Sequence, residues 1–135
     1  MERKNYLARE MKSFYDRFIS EYEESPLQTK TLNQRINEAN KIINRYKDRI
    51  PVIIIPHKNL ELKKKKYLVP KGLAVGQLVY TMRRYVTFEY TQAMYLFTEN
   101  GTMPLTSGLI DSLYYHHKNN DGFLYLYATV EHTFG

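Results

Sequence analysis

Lys63–Pro70 reads KKKKYLVP, four cations running straight into an apolar tripeptide that a proline ends. Read as a strand, it turns Lys66 and Leu68 to one face and Tyr67 and Val69 to the other. Lysines along a short strand and a proline at its end suit a sheet edge. Such an edge offers free N–H and C=O groups to an extended peptide, and the side chains beside it can wall pockets. The chemistry in view is therefore recognition of a peptide main chain, assisted by positive charge. Taken alone, the octet is explained more simply as a solvated edge that its lysines keep from aggregating. Other chemistry-bearing residues are sparse. His116 and His117 are adjacent, so on a helix they diverge by about 100° and do not readily share a metal. There is no phosphate-cradling glycine loop, no zinc ligand set and no nucleophile arrangement. The absence of cysteine removes a thiol nucleophile, a disulfide and a thiolate metal site. Neither an enzyme nor a bound metal or cofactor is expected.

The elements that must hold this edge fit one domain plus an arm, in a chain of 135 residues with ordinary apolar content. The net charge of +6 is unevenly placed. From Lys58 to Arg84 eight basic residues face the single acid Glu61, whereas residues 1–25 carry five basic and six acidic residues. A cationic field over the central region favours acidic peptides, anionic lipid or nucleic acid, and it speeds encounter more than it sets specificity. No apolar run approaches the roughly 18 residues of a membrane helix, and no signal peptide is evident. A reducing, cytoplasmic setting is expected, with any membrane attachment coming from a covalent lipid or a surface helix.

In chain order, Leu7, Met11, Phe14, Tyr15, Phe18 and Tyr22 recur at helical spacing across residues 2–24. This stripe either packs on the domain or offers an arm to a membrane or partner. Thr31 and Gln34 form a capping box, and Leu32, Ile36, Ala39, Ile43 and Tyr46 follow on one face of a second helix. Ile50–Ile55 is a strand whose Pro51 disfavours full pairing on both sides, unless the proline faces away from a neighbour. After the octet and a Lys71–Gly72 turn, residues 75–85 read as a helix with Leu78 and Met82 on one face. Met94–Thr98 is strand-like, and Asn100–Gly101 is a strong hairpin signal. The Asn100–Gly101–Thr102 sequon is discounted, since nothing indicates secretion. A short helix over residues 109–117 and a strand over residues 123–129 complete an α+β domain whose topology the pattern alone does not fix.

Six stretches in this order resemble the autophagy ubiquitin-like modifiers, the family of microtubule-associated protein light chain 3 and the GABA-A receptor-associated protein. They are NEANKIINRYKDRIPVIII (Asn37–Ile55), KKKKYLVP, VGQLVYTMRR (Val75–Arg84), MYLFTENGTMPLTS (Met94–Ser107), SLYYHHKNNDGFLYLYA (Ser112–Ala128) and the terminal Phe134–Gly135. The resemblance runs from about Thr31 to Gly135. It implies a ubiquitin-like β-grasp: a four-stranded mixed sheet over one helix, with two additional N-terminal helices on the other face. Residues 1–30 would then be an N-terminal helical extension and residues 31–135 the ubiquitin-like domain with its own N-terminal helix.

The resemblance also implies two functional sites. In the family, a target segment of the form aromatic-x-x-aliphatic adds as a strand to the edge. Carried over by position, Glu38, Ile42, Pro51, Ile53, Lys66, Leu68 and Phe123 would wall the aromatic pocket. Tyr67, Val69, Pro70, Leu73 and Leu78 would form the aliphatic one, and Arg49 with the lysine run would meet acidic flanks. Gly135 would be the site of lipid conjugation: activated by one enzyme, passed to a conjugating enzyme, and joined to the amine of phosphatidylethanolamine. The implied partners are motif-bearing autophagy receptors and adaptors, the activating and conjugating enzymes, a processing protease, and the autophagosomal membrane once lipidated. An unconjugated adaptor is the alternative. Tubulin binding through the basic strand is a minor reading, and nucleic acid is not expected. Three positions depart from the family pattern: Thr81 for an aliphatic residue, Tyr85 for a basic one and Lys63 for an acid.

Overall fold

A computed structural model of the chain describes Tyr22 and residues 24–58, 60–85 and 92–132, with backbone alone for Gln92 and His132. The helix expected over residues 2–24 lies outside the described residues except for Tyr22 and Glu24. In order, the elements are α1 (Leu32–Arg45), β1 (Arg49–Pro56), β2 (Lys66–Pro70), α2 (Val75–Met82), a 3-10 turn (Arg83–Tyr85), β3 (Gln92–Thr98), α3 (Ile110–His117) and β4 (Leu124–His132). The strands form one mixed sheet in the order β2-β1-β4-β3. β1 pairs antiparallel with β2 and parallel with β4, and β3 pairs antiparallel with β4. This is the expected α+β architecture with a four-stranded mixed sheet.

The apolar run of β1 is continuous because both of its faces are covered. Ile50, Val52 and Ile54 join Leu124, Leu126, Tyr67, Val69, Leu78 and Ile110 in one core. Ile53 and Ile55 alternate to the other face, where they meet Phe123, Tyr125, Ala39, Leu27 and Tyr22, with Ile42 and Ile43 packed against them. β1 is central despite Pro51. Ile54 N donates to Lys65 O on the β2 side, at 2.7 Å. By alternation the ring nitrogen of Pro51 faces the other way, toward β4. The β4 ladder begins only at Val52, opposite Leu124, so the proline removes no ladder hydrogen bond there.

α1 opens on the expected capping box: Gln34 N donates to Thr31 Oγ1 at 3.2 Å, and Thr31 N donates to Gln34 Oε1 at 2.9 Å. Its inward face is narrower than the sequence stripe, because Leu32 and Tyr46 at the two ends are exposed and only Ala39 is fully buried. Ala39 fits against the backbone of Gly122, where a Cβ would stand 3.0 Å from its own Cβ and φ is +95°. The neighbouring Asp121 joins the helix to the sheet. Its Oδ1 accepts from Phe123 N at 2.8 Å, and its Oδ2 accepts from Arg35 Nε at 3.1 Å and from the Tyr125 hydroxyl. Arg35 Nη1 also donates to Lys30 O, tying the entry of α1 to the same centre.

The Asn100–Gly101 hairpin is corrected. The turn exists, with Gly101 at φ +83° and Thr98 N bonded to Thr102 O at 2.9 Å. No returning strand follows it: β3 pairs with β4 instead, and the chain from Thr102 runs on without strand structure to α3. Pro104, lacking an N–H, could not extend such a ladder. The helix expected over residues 75–85 is α-helical only to Met82 and tightens into the 3-10 turn. Asp121 is 2% exposed. Asp121→Ala should therefore lower the unfolding free energy by about 3 kcal/mol, since it leaves three donors behind. A urea titration would read this as a lower midpoint at unchanged slope. A loss below about 1 kcal/mol would mean that the carboxylate does not join α1 to the sheet.

Candidate peptide-docking site

β2 pairs with β1 alone among the strands, so its outer side is a sheet edge. Its residues alternate outward and inward as the octet suggests, with Lys66, Leu68 and Pro70 exposed and Tyr67 and Val69 buried. Leu68 stands opposite Pro51 and Lys66 opposite Ile53. These share the α1 face with Phe123 and Ile42. Glu38 reaches in from α1, where Lys66 Nζ lies 3.3 Å and Lys30 Nζ 2.6 Å from its carboxylate oxygens. The residues assigned to the aromatic pocket thus fall on the α1 side of the sheet, where Ile42, Ile53 and Phe123 pack together and Glu38 pairs with Lys66. They do not play one part. Ile53 and Phe123 are each 1% exposed and Pro51 is buried, whereas Leu68, 40% exposed, and Lys66 are open to solvent.

The aliphatic group lies on the opposite face. Tyr67, Val69 and Leu78 are core residues, and Leu73 packs partly buried against them. Pro70 ends the strand and by alternation falls on the side of Lys66 and Leu68. Arg49 is exposed opposite Pro70, at the far end of the β1–β2 pair. Placing the two groups on opposite faces suits the spacing of the motif. Positions i and i+3 of an extended strand point to opposite sides, as any odd offset does.

Three features refine this surface. Thr81 Oγ1 donates back to Gln77 O at 3.0 Å, so its hydroxyl is satisfied within α2. Tyr85 packs edge-on against Tyr67 with ring centroids 6.2 Å apart, and Lys64 Nζ lies 4.9 Å and 5.3 Å from the two ring centres. Burial, and then the neighbouring Tyr85, push the Tyr67 phenol up to about 12. The Lys64–Tyr67–Tyr85 cluster was not foreseen. The sequence signal was present in Lys64 three residues before Tyr67, but Tyr85 is brought in only by the fold. His116 is exposed, and its Nδ1 lies 2.9 Å from Ser112 O. Burial, and then His116, hold His117 below the usual imidazole range. No metal-binding group of three His, Cys, Asp or Glu residues occurs among the described residues. Phe134 and Gly135 lie outside the described residues, beyond the end of β4.

A mixed four-stranded sheet with helices on both faces and an open cationic edge defines a small ubiquitin-like domain. The comparisons agree. The family model described as autophagy protein Atg8, ubiquitin-like, matches residues 34–135. Autophagy-related protein 8h of Arabidopsis thaliana is 38% identical over 128 residues, covering 93% of this chain and 97% of that protein. Autophagy-related protein 8B of Oryza sativa is 43% identical over 108 residues, covering 78% and 90%. Among solved structures, Trypanosoma brucei ATG8 superposes with a TM-score of 0.72 at 32% identity, over 84% of this chain and all of that one. Plasmodium falciparum Atg8, solved with a Plasmodium falciparum Atg3 peptide, gives 0.69 at 29% identity, over 79% and 96%. The chain belongs to the Atg8 family of ubiquitin-like autophagy proteins.

The Glu38 carboxylate has a defined acid response. Burial tends to raise Glu38, but the hydrogen bonds and charges of Lys30 and Lys66 outweigh it and hold the carboxyl below its ordinary value. A carboxylate depressed on folding stabilises fully above its unfolded pKa, about 4.3, and loses that contribution as pH falls through the folded value. Thermal melts of the wild type and Glu38→Gln should thus differ by a constant amount at neutral pH and converge below about pH 4. A difference that widens on acidification would contradict the pairing.

Proposed function

We propose that this chain is a ubiquitin-like modifier that is joined through Gly135 to phosphatidylethanolamine on autophagic membranes. Once there, it recruits partners carrying aromatic-x-x-aliphatic segments by strand addition to β2. The observation that carries the docking half is the open edge of β2 with its two apolar groups on opposite faces. The partner strand gains main-chain hydrogen bonds along β2, and alternate side chains supply specificity. Each buried anchor contributes about 1.5–3 kcal/mol before ordering costs, which leaves affinity in the micromolar range.

The conjugation half rests on family membership and on the terminal Phe134–Gly135. Glycine suits a carboxyl terminus that must thread a narrow enzyme channel, since it brings no Cβ. The chain supplies the acyl group; the catalytic cysteines belong to the activating and conjugating enzymes. The relative solved with an Atg3 peptide supports partnership with the conjugation machinery. No helix among the described residues is long and apolar enough to cross a membrane. In this reading the lipid provides the anchor, at about 0.8 kcal/mol per buried CH2.

Two experiments test the two halves. Incubation with activating and conjugating enzymes from the matching source, ATP and phosphatidylethanolamine liposomes should give a liposome-bound product that Gly135→Ala abolishes. No product from the wild type, with peptide binding intact, would leave an unconjugated adaptor. In titrations with an aromatic-x-x-aliphatic peptide, Leu68→Ala and Lys66→Ala should each weaken binding several-fold, about 1 kcal/mol or more for loss of the exposed Leu68 side chain. Unchanged affinity in both variants would remove this face from the docking site.

A further inference from the structure

Among the strands, β2 pairs only with β1, so the groups on its outer side are what a partner strand meets. Ile54 N donates to Lys65 O, which turns the main-chain groups of Lys65 toward β1. By alternation Tyr67 and Val69 also bond inward, and Lys66, Leu68 and Pro70 turn their main-chain groups outward. Pro70 has no N–H to offer. The outward main-chain donors of β2 are therefore Lys66 N and Leu68 N, and Tyr67 lies between them.

Tyr67 is clasped from a distant part of the chain. The 3-10 turn after α2 ends at Tyr85, whose carbonyl accepts from Lys63 N at 3.0 Å. The Tyr85 ring is partly buried against the core that contains Tyr67, and it meets the Tyr67 ring edge-on at an interplanar angle of 72°. Lys64 Nζ lies over both rings, and the Tyr67 hydroxyl donates back to Lys64 O at 3.1 Å. A main-chain bond, a ring pair and a shared cation thus close one small circuit around the start of β2. The basic residue that the family pattern has at this position would bring no ring to the circuit, so the clasp comes with the departure to Tyr85. Ordering costs oppose strand addition, and a strand already fixed in its bound conformation loses less on binding. We propose that Tyr85 is a positioning residue for the docking edge. Through Tyr67 and Lys64 it holds the outward groups of Lys66 and Leu68 in place before a partner arrives. This rests on the docking reading above.

The test pairs titration with amide hydrogen exchange on the full chain, using one aromatic-x-x-aliphatic peptide that carries no acidic residue. Tyr85→Leu keeps an apolar side chain against the core but takes the ring away from Tyr67 and Lys64. It should weaken the peptide roughly three- to ten-fold. In the free protein it should speed exchange of the Tyr67 amide by a similar factor, while Leu126 in β4 exchanges as before. Tyr85→Phe keeps the ring and should match the wild type in both readouts. The proposal is overturned if Tyr85→Leu binds like the wild type. It is equally overturned if exchange rises by the same factor at Tyr67 and Leu126, which is a general loss of stability. Weakening by Tyr85→Phe as large as that by Tyr85→Leu would also overturn it, since the ring would not then be the acting part. If the wild type fails to bind the peptide, the docking reading falls and the proposal with it; faster Tyr67 exchange in Tyr85→Leu would then mark a structural clasp only.

Discussion

β1 and β4 lie side by side and parallel, and strands so arranged must be joined by a crossover. Here the crossover carries β2, α2, β3 and α3, nearly half of the chain. It sends one strand to each outer position and two helices to one face. The remaining face needs its own cover, and α1 supplies it, held by the Asp121 carboxylate at the entrance to β4. The open edge of β2 follows from the same pairing. With β1 between β2 and β4, and β3 paired with β4, no strand is left for the outer side of β2. The α1-covered face and the core under Tyr67 and Val69 are thus the two sides of one parallel pair.

How much of this was legible depended on how local the cause was. The alternation of Lys66 to Val69, the Thr31–Gln34 box and the Lys71–Gly72 turn each involve neighbours in sequence, and the structure shows each of them. The resemblance supplied what periodicity could not, the order of strands. What stayed hidden depends on distant partners. Asp121 reads as part of a turn in NNDG, and nothing local says that Arg35, 86 residues away, reaches it. Leu32 and Tyr46 fit the helical period of α1, yet the fold leaves both exposed. Asn100–Gly101 forms the turn its residue types favour, but β3 finds its antiparallel partner in β4. Lys47, Lys71 and Lys118 look like unrelated surface charges until the fold sets them around one cavity, where β1 begins and β2 ends.

Cations on this edge serve more than one purpose. Unpaired edges invite pairing with any extended chain, and lysines discourage the hydrophobic ones. Lys66 is partly neutralised by Glu38, and Lys64 lies over two tyrosine rings. Among the described residues, Arg49 and Lys71 at the far end of β2 are in no ion pair. Attraction by such cations changes the encounter rate and the choice among similar segments more than it changes the apolar contacts of the anchors.

The position of the tail bears on what those cations can meet. β4 begins beside Val52 and ends at His132 after nine residues, a span of about 30 Å along the strand. The residues from there to Gly135 reach at most about 10 Å further. A lipid joined to Gly135 would thus attach toward the end of the sheet away from Arg49 and Lys71. A surface charge more than a Debye length, about 8 Å, from the headgroups gains little from them. Those cations would then stay free for a ligand arriving from solution.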